Sequence, residues 1–202
     1  MTSAAKLTAM HAVIVGPDPH FLSWLQERAE WGLDKRDEVW DGVLHVVPPT
    51  SMPHQELETE LVIVMRTVVQ NLGLKALPEI GVFFDVGFDK ENYRTPDVVV
   101  ADPRNCTRRG VERRAELVVE VLSPGDESRH KFSFYASCGI PEYWLVDPIT
   151  REIEIYVLRD GTYELQPTRD DGSVEAPRLS LTVRVIDGPK LRIDWSGGSA
   201  EI

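Results

Sequence analysis

Residues 116–131, ELVVEVLSPGDESRHK, decide how this chain is read. Leu117, Val118, Val119, Val121 and Leu122 make an apolar run of strand length, closed by Ser123, Pro124 and Gly125. A run without alternation fits a central strand covered on both faces. Glu120 interrupts it. An ionised carboxylate there costs several kcal/mol to desolvate, or takes up a proton, unless something compensates it. Residues 94–100, RTPDVVV, pose the same problem, because Asp97 follows Pro96 and leads into Val98, Val99 and Val100. Two such acids in neighbouring strands predict a shared cation with oxygen ligands, Mg²⁺ or Mn²⁺, with the Val121 carbonyl as a further ligand.

The segment after Glu120 supplies positive charge. With Asp126 as its cap, the pattern predicts a helix running to Gly139, on which Lys131, Phe134, Tyr135 and Cys138 share one face. A lysine on the face that packs against a sheet has two readings. It snorkels to water along a buried stem, or it answers the buried acids. In the second case Asp97, Glu120 and Lys131 form a catalytic set for phosphodiester cleavage: two metal carboxylates and a lysine that orients water or stabilises developing charge. The competing account is a buried ion-pair network that holds strands together and catalyses nothing.

Composition bounds the partners. The chain has 202 residues, 42% of them hydrophobic, enough for one core, with residues 1–19 read as an N-terminal extension and 20–202 as one domain. The formal charge of −11 argues against a broad electrostatic grip on nucleic acid. The local exception is a loop carrying Arg104, Arg108, Arg109, Arg113 and Arg114. Cys106 and Cys138 have neither zinc spacing nor a disulfide framework, and the sequence shows no membrane-length apolar run and no signal-peptide pattern. A cytoplasmic protein with no membrane partner is expected.

Further elements follow from periodicity. Helices are predicted near 21–33 and over 54–72, the latter ended by Gly73. Asp41-Gly42 and Asp160-Gly161 between β-rich runs predict two hairpins. Strict alternation over 77–88 and the run 143–146 read as strands, and short apolar pieces at 179–186 and 191–195 as edge strands. Exposed edges suggest a homodimer. The expected architecture is α/β, a mixed sheet flanked by helices with hairpin additions at both ends. His54, Glu58, Arg94 and Tyr135 are candidates for supporting or substrate contacts. His54 otherwise serves as a core or capping residue, Glu58 as a solvated helix acid, and Arg94 as a partner for a nearby acid.

These residues carry a family resemblance. Pro96-Asp97, Glu120 in VVEVLSP, Lys131 and Tyr135 in KFSFYASCGIPEYWLVDP, and the upstream DEVWDGVLHVVPPTSMPHQ resemble the Uma-type endonucleases, a branch of the PD-(D/E)XK nuclease superfamily with the restriction-endonuclease-like fold. The likeness spans most of residues 20–160. It implies metal-dependent hydrolysis of nucleic acid, DNA above all, with Asp97 and Glu120 as the metal carboxylates. In the superfamily pattern the lysine follows the acid by two positions, where this chain has Leu122; Lys131 matches the resembled family's displaced lysine. Glu127-Ser128 stands where many members have Asp-Arg. The alternative that the residues leave open is an inactive binding or assembly module on the same fold.

Overall fold

The structure, a computed structural model, describes residues 19–84, 92–112, 114–125 and 127–202. Helix α1 (Pro19–Glu30) precedes a hairpin of β1 (Glu38–Trp40) and β2 (Val43–His45). Its turn is the expected Asp-Gly pair, both in left-handed backbone (φ 48° at Asp41, 84° at Gly42), which matches the twist of the flanking strands. Helix α2 (Met52–Val69) starts where the Ser51 hydroxyl accepts from the His54 amide, and ends through a 3₁₀ turn at Gly73 with φ 69°. Leu57, Leu61, Met65 and Val69 are its buried stripe. His54 and Glu58, one turn apart at its N-terminal end, are buried as well.

After α2 come β3 (Lys75–Pro78), β4 (Val82–Phe83), β5 (Tyr93–Arg94), β6 (Val98–Ala101), β7 (Val111–Glu112) and β8 (Leu117–Val121). The alternation over 77–88 is therefore not one strand. Pro78 ends β3 and Glu79 turns the chain with φ 45°, so β3 and β4 join different sheets, and residues 85–91 lie outside the described residues. The predicted helix to Gly139 is likewise two pieces, a 3₁₀ turn at Ser128–His130 and α3 (Phe132–Ser137), with Lys131 at the junction. Its proposed cap, Asp126, lies outside the described residues. The chain continues through β9 (Glu142–Val146), then the second Asp-Gly hairpin of β10 (Ile153–Arg159) and β11 (Thr162–Leu165). β12 (Ser173–Ala176), β13 (Leu181–Ile186), β14 (Lys190–Trp195) and β15 (Gly198–Glu201) finish it. The apolar pieces read as edge strands belong to this antiparallel four-stranded sheet of their own.

The central sheet has the order β11-β10-β9-β8-β6-β3, with β8 and β9 parallel and the other pairs antiparallel. Side chains of β8 alternate between two clusters. Leu117, Val119 and Val121 meet α2 and the C-terminal sheet, while Val118 packs on the opposite face with Phe134, Tyr135 and Tyr143. That parity puts Glu120 on the α3 face, toward Lys131. A third sheet, β2-β1-β5-β4-β7, brings the N-terminal hairpin beside β5, so Glu38 and Thr95 meet. No helix among the described residues is long and apolar enough to cross a membrane.

Leu61→Ala, at a fully buried position, lowers stability by about 2–5 kcal/mol in urea unfolding. Ile63→Ala, at a position 60% exposed, changes it by less than about 0.5 kcal/mol.

Candidate active site

Pro96 precedes β6 and places Asp97 at its entrance, one strand from the end of β8. Asp97 Oδ2 accepts a hydrogen bond from the Val121 amide at 2.7 Å, locking the carboxylate against the strand that carries Glu120. Because a strand residue's N–H and C=O point the same way, the Val121 carbonyl lies on that same edge. Asp97 Oδ1 faces His54 Nε2 at 3.1 Å and Arg36 Nη2 at 2.9 Å. His54 Nδ1 in turn meets the Ser123 hydroxyl at 3.1 Å. A proton on Nε2 satisfies Asp97 and leaves Nδ1 to accept from Ser123; the other tautomer frees Nε2 to ligate.

Glu120 is satisfied from the opposite face. Its Oε1 accepts from Lys131 Nζ at 2.9 Å and from the Tyr135 hydroxyl at 2.7 Å. Those residues stand one helical turn apart, and the Tyr135 amide closes that turn on the Lys131 carbonyl. Lys131 Nζ also donates to Glu38 Oε1 at 2.8 Å. Glu38 is pinned in turn by the Thr95 amide at 2.8 Å and by Trp40 Nε1 at 2.7 Å. Lys131 is thus an ammonium clamped between two buried carboxylates, not a snorkelling side chain.

The electrostatics show a surplus of negative charge. Burial raises the Glu120 pKa, Lys131 pulls it back, and Asp97 and Glu38 push it further up. Burial alone would lower Lys131, yet Glu120 and Glu38 outweigh it and hold the ammonium above its ordinary value. Burial, then the charges of Asp97 and Glu79, pushes Glu58 up to about 7, against the opposing pull of Arg36 and His54. Burial and the Glu120 charge raise Tyr135 well above its ordinary value, so it stays a donor. Five acids, Glu38, Glu58, Glu79, Asp97 and Glu120, meet Arg36 and Lys131 in direct ion pairs. Even with Arg94 near Glu38, the acids outnumber the permanent cations.

One donor atom each from His54, Glu58 and Asp97 lie within 4.8 Å of one another, all three residues being buried. Buried oxygen and nitrogen donors at that spacing, in a site with excess negative charge, fit a divalent cation. The structure therefore gathers Asp97, His54 and Glu58 in one donor cluster and Glu120, Lys131 and Tyr135 in a second group beside it; Glu120, expected to share a cation with Asp97, is not a member of that cluster. Arg94 is placed differently. Its guanidinium lies between the Trp40 and Phe134 rings, at 4.4 and 4.1 Å from their centroids, and donates to the carbonyls of Val39 and Tyr93. Glu38 and Arg36 are site residues that the sequence reading passed over. In the arginine loop, Arg104 closes on Asp102 and Arg114 on Glu116, and Arg113 lies outside the described residues. Beside the site opens a cleft of about 440 Å³ lined by Lys35, Glu79, Phe83, Tyr93, Thr95 and Arg109 among others. Glu79 and Thr95 connect it to the acids through Arg36 and Glu38.

A mixed sheet with acids at adjacent strand ends, a lysine on one of them and helices on both faces defines a restriction-endonuclease-like nuclease fold. A family model described as Uma2, "Putative restriction endonuclease", matches residues 21–186, and the chain belongs to that family. Among solved structures, one described as a putative nuclease belonging to DUF820 from Anabaena variabilis ATCC 29413 superposes with a TM-score of 0.55 at 20% identity, over 71% of this chain and 83% of that one. At that identity the likeness speaks for the fold alone. A search of curated proteins returns no match.

The raised Glu58 has a pH signature in metal-free buffer. Its protonated form is favoured in the folded state, so its stabilising contribution is complete below its unfolded value of 4.5 and is lost as pH rises through about 7. Glu58→Gln, which mimics the protonated form, is therefore more stable than wild type at pH 8 by about 1–3 kcal/mol. The difference fades toward pH 4.5. Denaturant unfolding across pH measures it.

Proposed function

We propose that this protein is a divalent-metal-dependent endonuclease that hydrolyses phosphodiester bonds in nucleic acid, with DNA as the substrate. The observation that carries the reading is the position of Asp97. Its two oxygens face different partners: the Val121 amide on the β8 side, and His54 and Arg36 on the α2 side. Asp97 is then the shared ligand, with Glu120 and the Val121 carbonyl as the set expected from the sequence, and with His54 and Glu58 added by the geometry. Membership of the restriction-endonuclease family supports the nucleic-acid substrate. The imidazole tilts this donor set from Mg²⁺, which seeks oxygen, toward a transition ion such as Mn²⁺.

When bound, the ion polarises the scissile phosphate and acidifies a water. The remaining work belongs to the chain. Lys131, with two N–H groups held by Glu38 and Glu120, directs the third at the attacking water or the developing phosphoryl charge. Tyr135 anchors the Glu120 oxygen that Lys131 shares. The adjoining cleft, where the Tyr93 ring is backed by the buried Phe83 and the Arg109 side chain is exposed, is where the nucleotide beside the scissile bond lies.

One observation favours a second reading. Lys131 and Arg36 already pair with the buried acids, as a structural network in an inactive binding or assembly module would. Plasmid cleavage and calorimetry separate the two. The nuclease cuts in Mn²⁺ or Mg²⁺ and stops in chelator, and Asp97→Asn or Lys131→Met slows it by about 100-fold or more while the fold is kept. Absence of metal-dependent heat at millimolar ion overturns the nuclease reading, and a loss of about 3–5 kcal/mol of stability in Asp97→Ala then supports the structural network.

A further inference from the structure

We propose that Arg36 is the resident counter-ion of the cation site, and that a divalent ion reaches Asp97 and Glu58 only by expelling it. The inference rests on the nuclease reading for the identity of the ion; the behaviour assigned to Arg36 comes from its own contacts. Arg36 lies in the turn between α1 and β1, among the charged residues Asp34, Lys35 and Asp37. Its Nη2 is 2.9 Å from Asp97 Oδ1 and 3.9 Å from Glu58 Oε2. Its Nε is 2.9 Å from Glu79 Oε1, and its Nη1 is 3.1 Å from the Thr50 hydroxyl. One guanidinium thus touches both carboxylates that, with His54, form the only donor cluster of its kind among the described residues.

Asp97 Oδ1 is the contested atom. Arg36 Nη2 and His54 Nε2 both approach it, and the same Arg36 nitrogen that holds it is also the one nearest Glu58 Oε2. A guanidinium nitrogen and a dication cannot share that oxygen without strong like-charge repulsion at short range. The exposure gradient gives the direction of exit. The side chains of Glu58 and Asp97 are 2% and 6% exposed, that of Arg36 is 20%, and that of Glu79 is 34%. Arg36 covers the buried acids from the solvent side while its Nε already holds the outermost one. Rotation about that contact uncovers Asp97 and keeps the arginine paired. The guanidinium suits such a half-buried post because it is weakly hydrated and spreads its charge over several acceptors.

A purely structural salt bridge makes the opposite prediction for metal affinity. If Arg36 only holds the acids in place, its removal splays them and weakens binding. If it competes, its removal tightens binding, and two-site couplings of this kind run about 5–150-fold. The test is calorimetric titration of Mn²⁺ into the full chain as wild type, Arg36→Met and Arg36→Lys, at one pH and ionic strength, with Asp97→Asn as the zero. Arg36→Met keeps the stem and removes the charge, and should lower the Mn²⁺ Kd by about tenfold or more. Arg36→Lys, which loses the fork that spans Asp97 and Glu79, should fall between the two. An Arg36→Met protein that folds cooperatively yet binds Mn²⁺ equally or more weakly overturns the proposal and leaves the metal reading standing. If Arg36→Met does not fold, an unchanged or weaker Kd in Arg36→Lys overturns it in the same way. Binding in none of the variants overturns both.

Discussion

Carboxylates buried at the ends of two adjacent strands are the constraint around which the rest of this molecule is arranged. Each would cost several kcal/mol alone in the interior, and the chain compensates each from a distance. Glu120 takes its hydrogen bonds from Lys131 and Tyr135, residues beyond the next turn. Lys131 then needs a second acid, and Glu38, 93 residues earlier in the N-terminal hairpin, supplies it. Asp97 is met by His54 from α2 and by Arg36 from the turn before β1. The charge requirement therefore ties the N-terminal hairpin, α2 and α3 to one edge of the central sheet. Apolar packing alone would leave the relative positions of these pieces less determined.

How much of this was legible in the sequence depended on the range of the interaction. Glu120 stood out because an apolar strand carries it, and Lys131 because it pairs with Tyr135 at the spacing of one helical turn. That inference survived although α3 is much shorter than the periodicity suggested, since a single turn is enough to align two side chains. Both Asp-Gly hairpins were readable, because a two-residue turn is set by local backbone preference. The alternation over 77–88 misled because period two cannot register the left-handed Glu79 that sends β3 and β4 into separate sheets. Arg36 and Glu38 lie in a charged segment that looks like solvated turn surface, and their partners are far along the chain. Arg94 was open for a similar reason. Nothing local announces that Trp40 and Phe134 will close on its two faces.

The displaced lysine explains why the hairpin belongs to the site. Leu122, two residues after Glu120, shares its face and packs into the cluster around Phe134 and Tyr143. A lysine there would have been fixed by the strand itself. Lys131 instead stands at the joint between a 3₁₀ turn and a six-residue helix, a mounting with little rigidity of its own. Glu38 gives the ammonium a second anchor, and Thr95 and Trp40 keep Glu38 from following it. The placing of the lysine at 131, with Leu122 on the strand side, and the inward turn of the N-terminal hairpin are thus one structural arrangement.

The charge of the whole chain bears on the same site. At −11 the chain as a whole disfavours a polyanion, and in the arginine loop Arg104 and Arg114 are spent on neighbouring acids. Near Asp97 the acids again outnumber the permanent cations. On the nuclease reading, a phosphate approaches this edge favourably only after the local sign has been reversed, and a dication accomplishes that at the atom where it is needed. Metal binding and substrate binding are then coupled by simple electrostatics, without any conformational transmission. In the metal-free state Arg36 and Lys131 already meet the acids in ion pairs, and the raised pKa of Glu58, about 7, lets a proton offset part of what remains. On the nuclease reading, a dication takes over the role of these internal counter-ions.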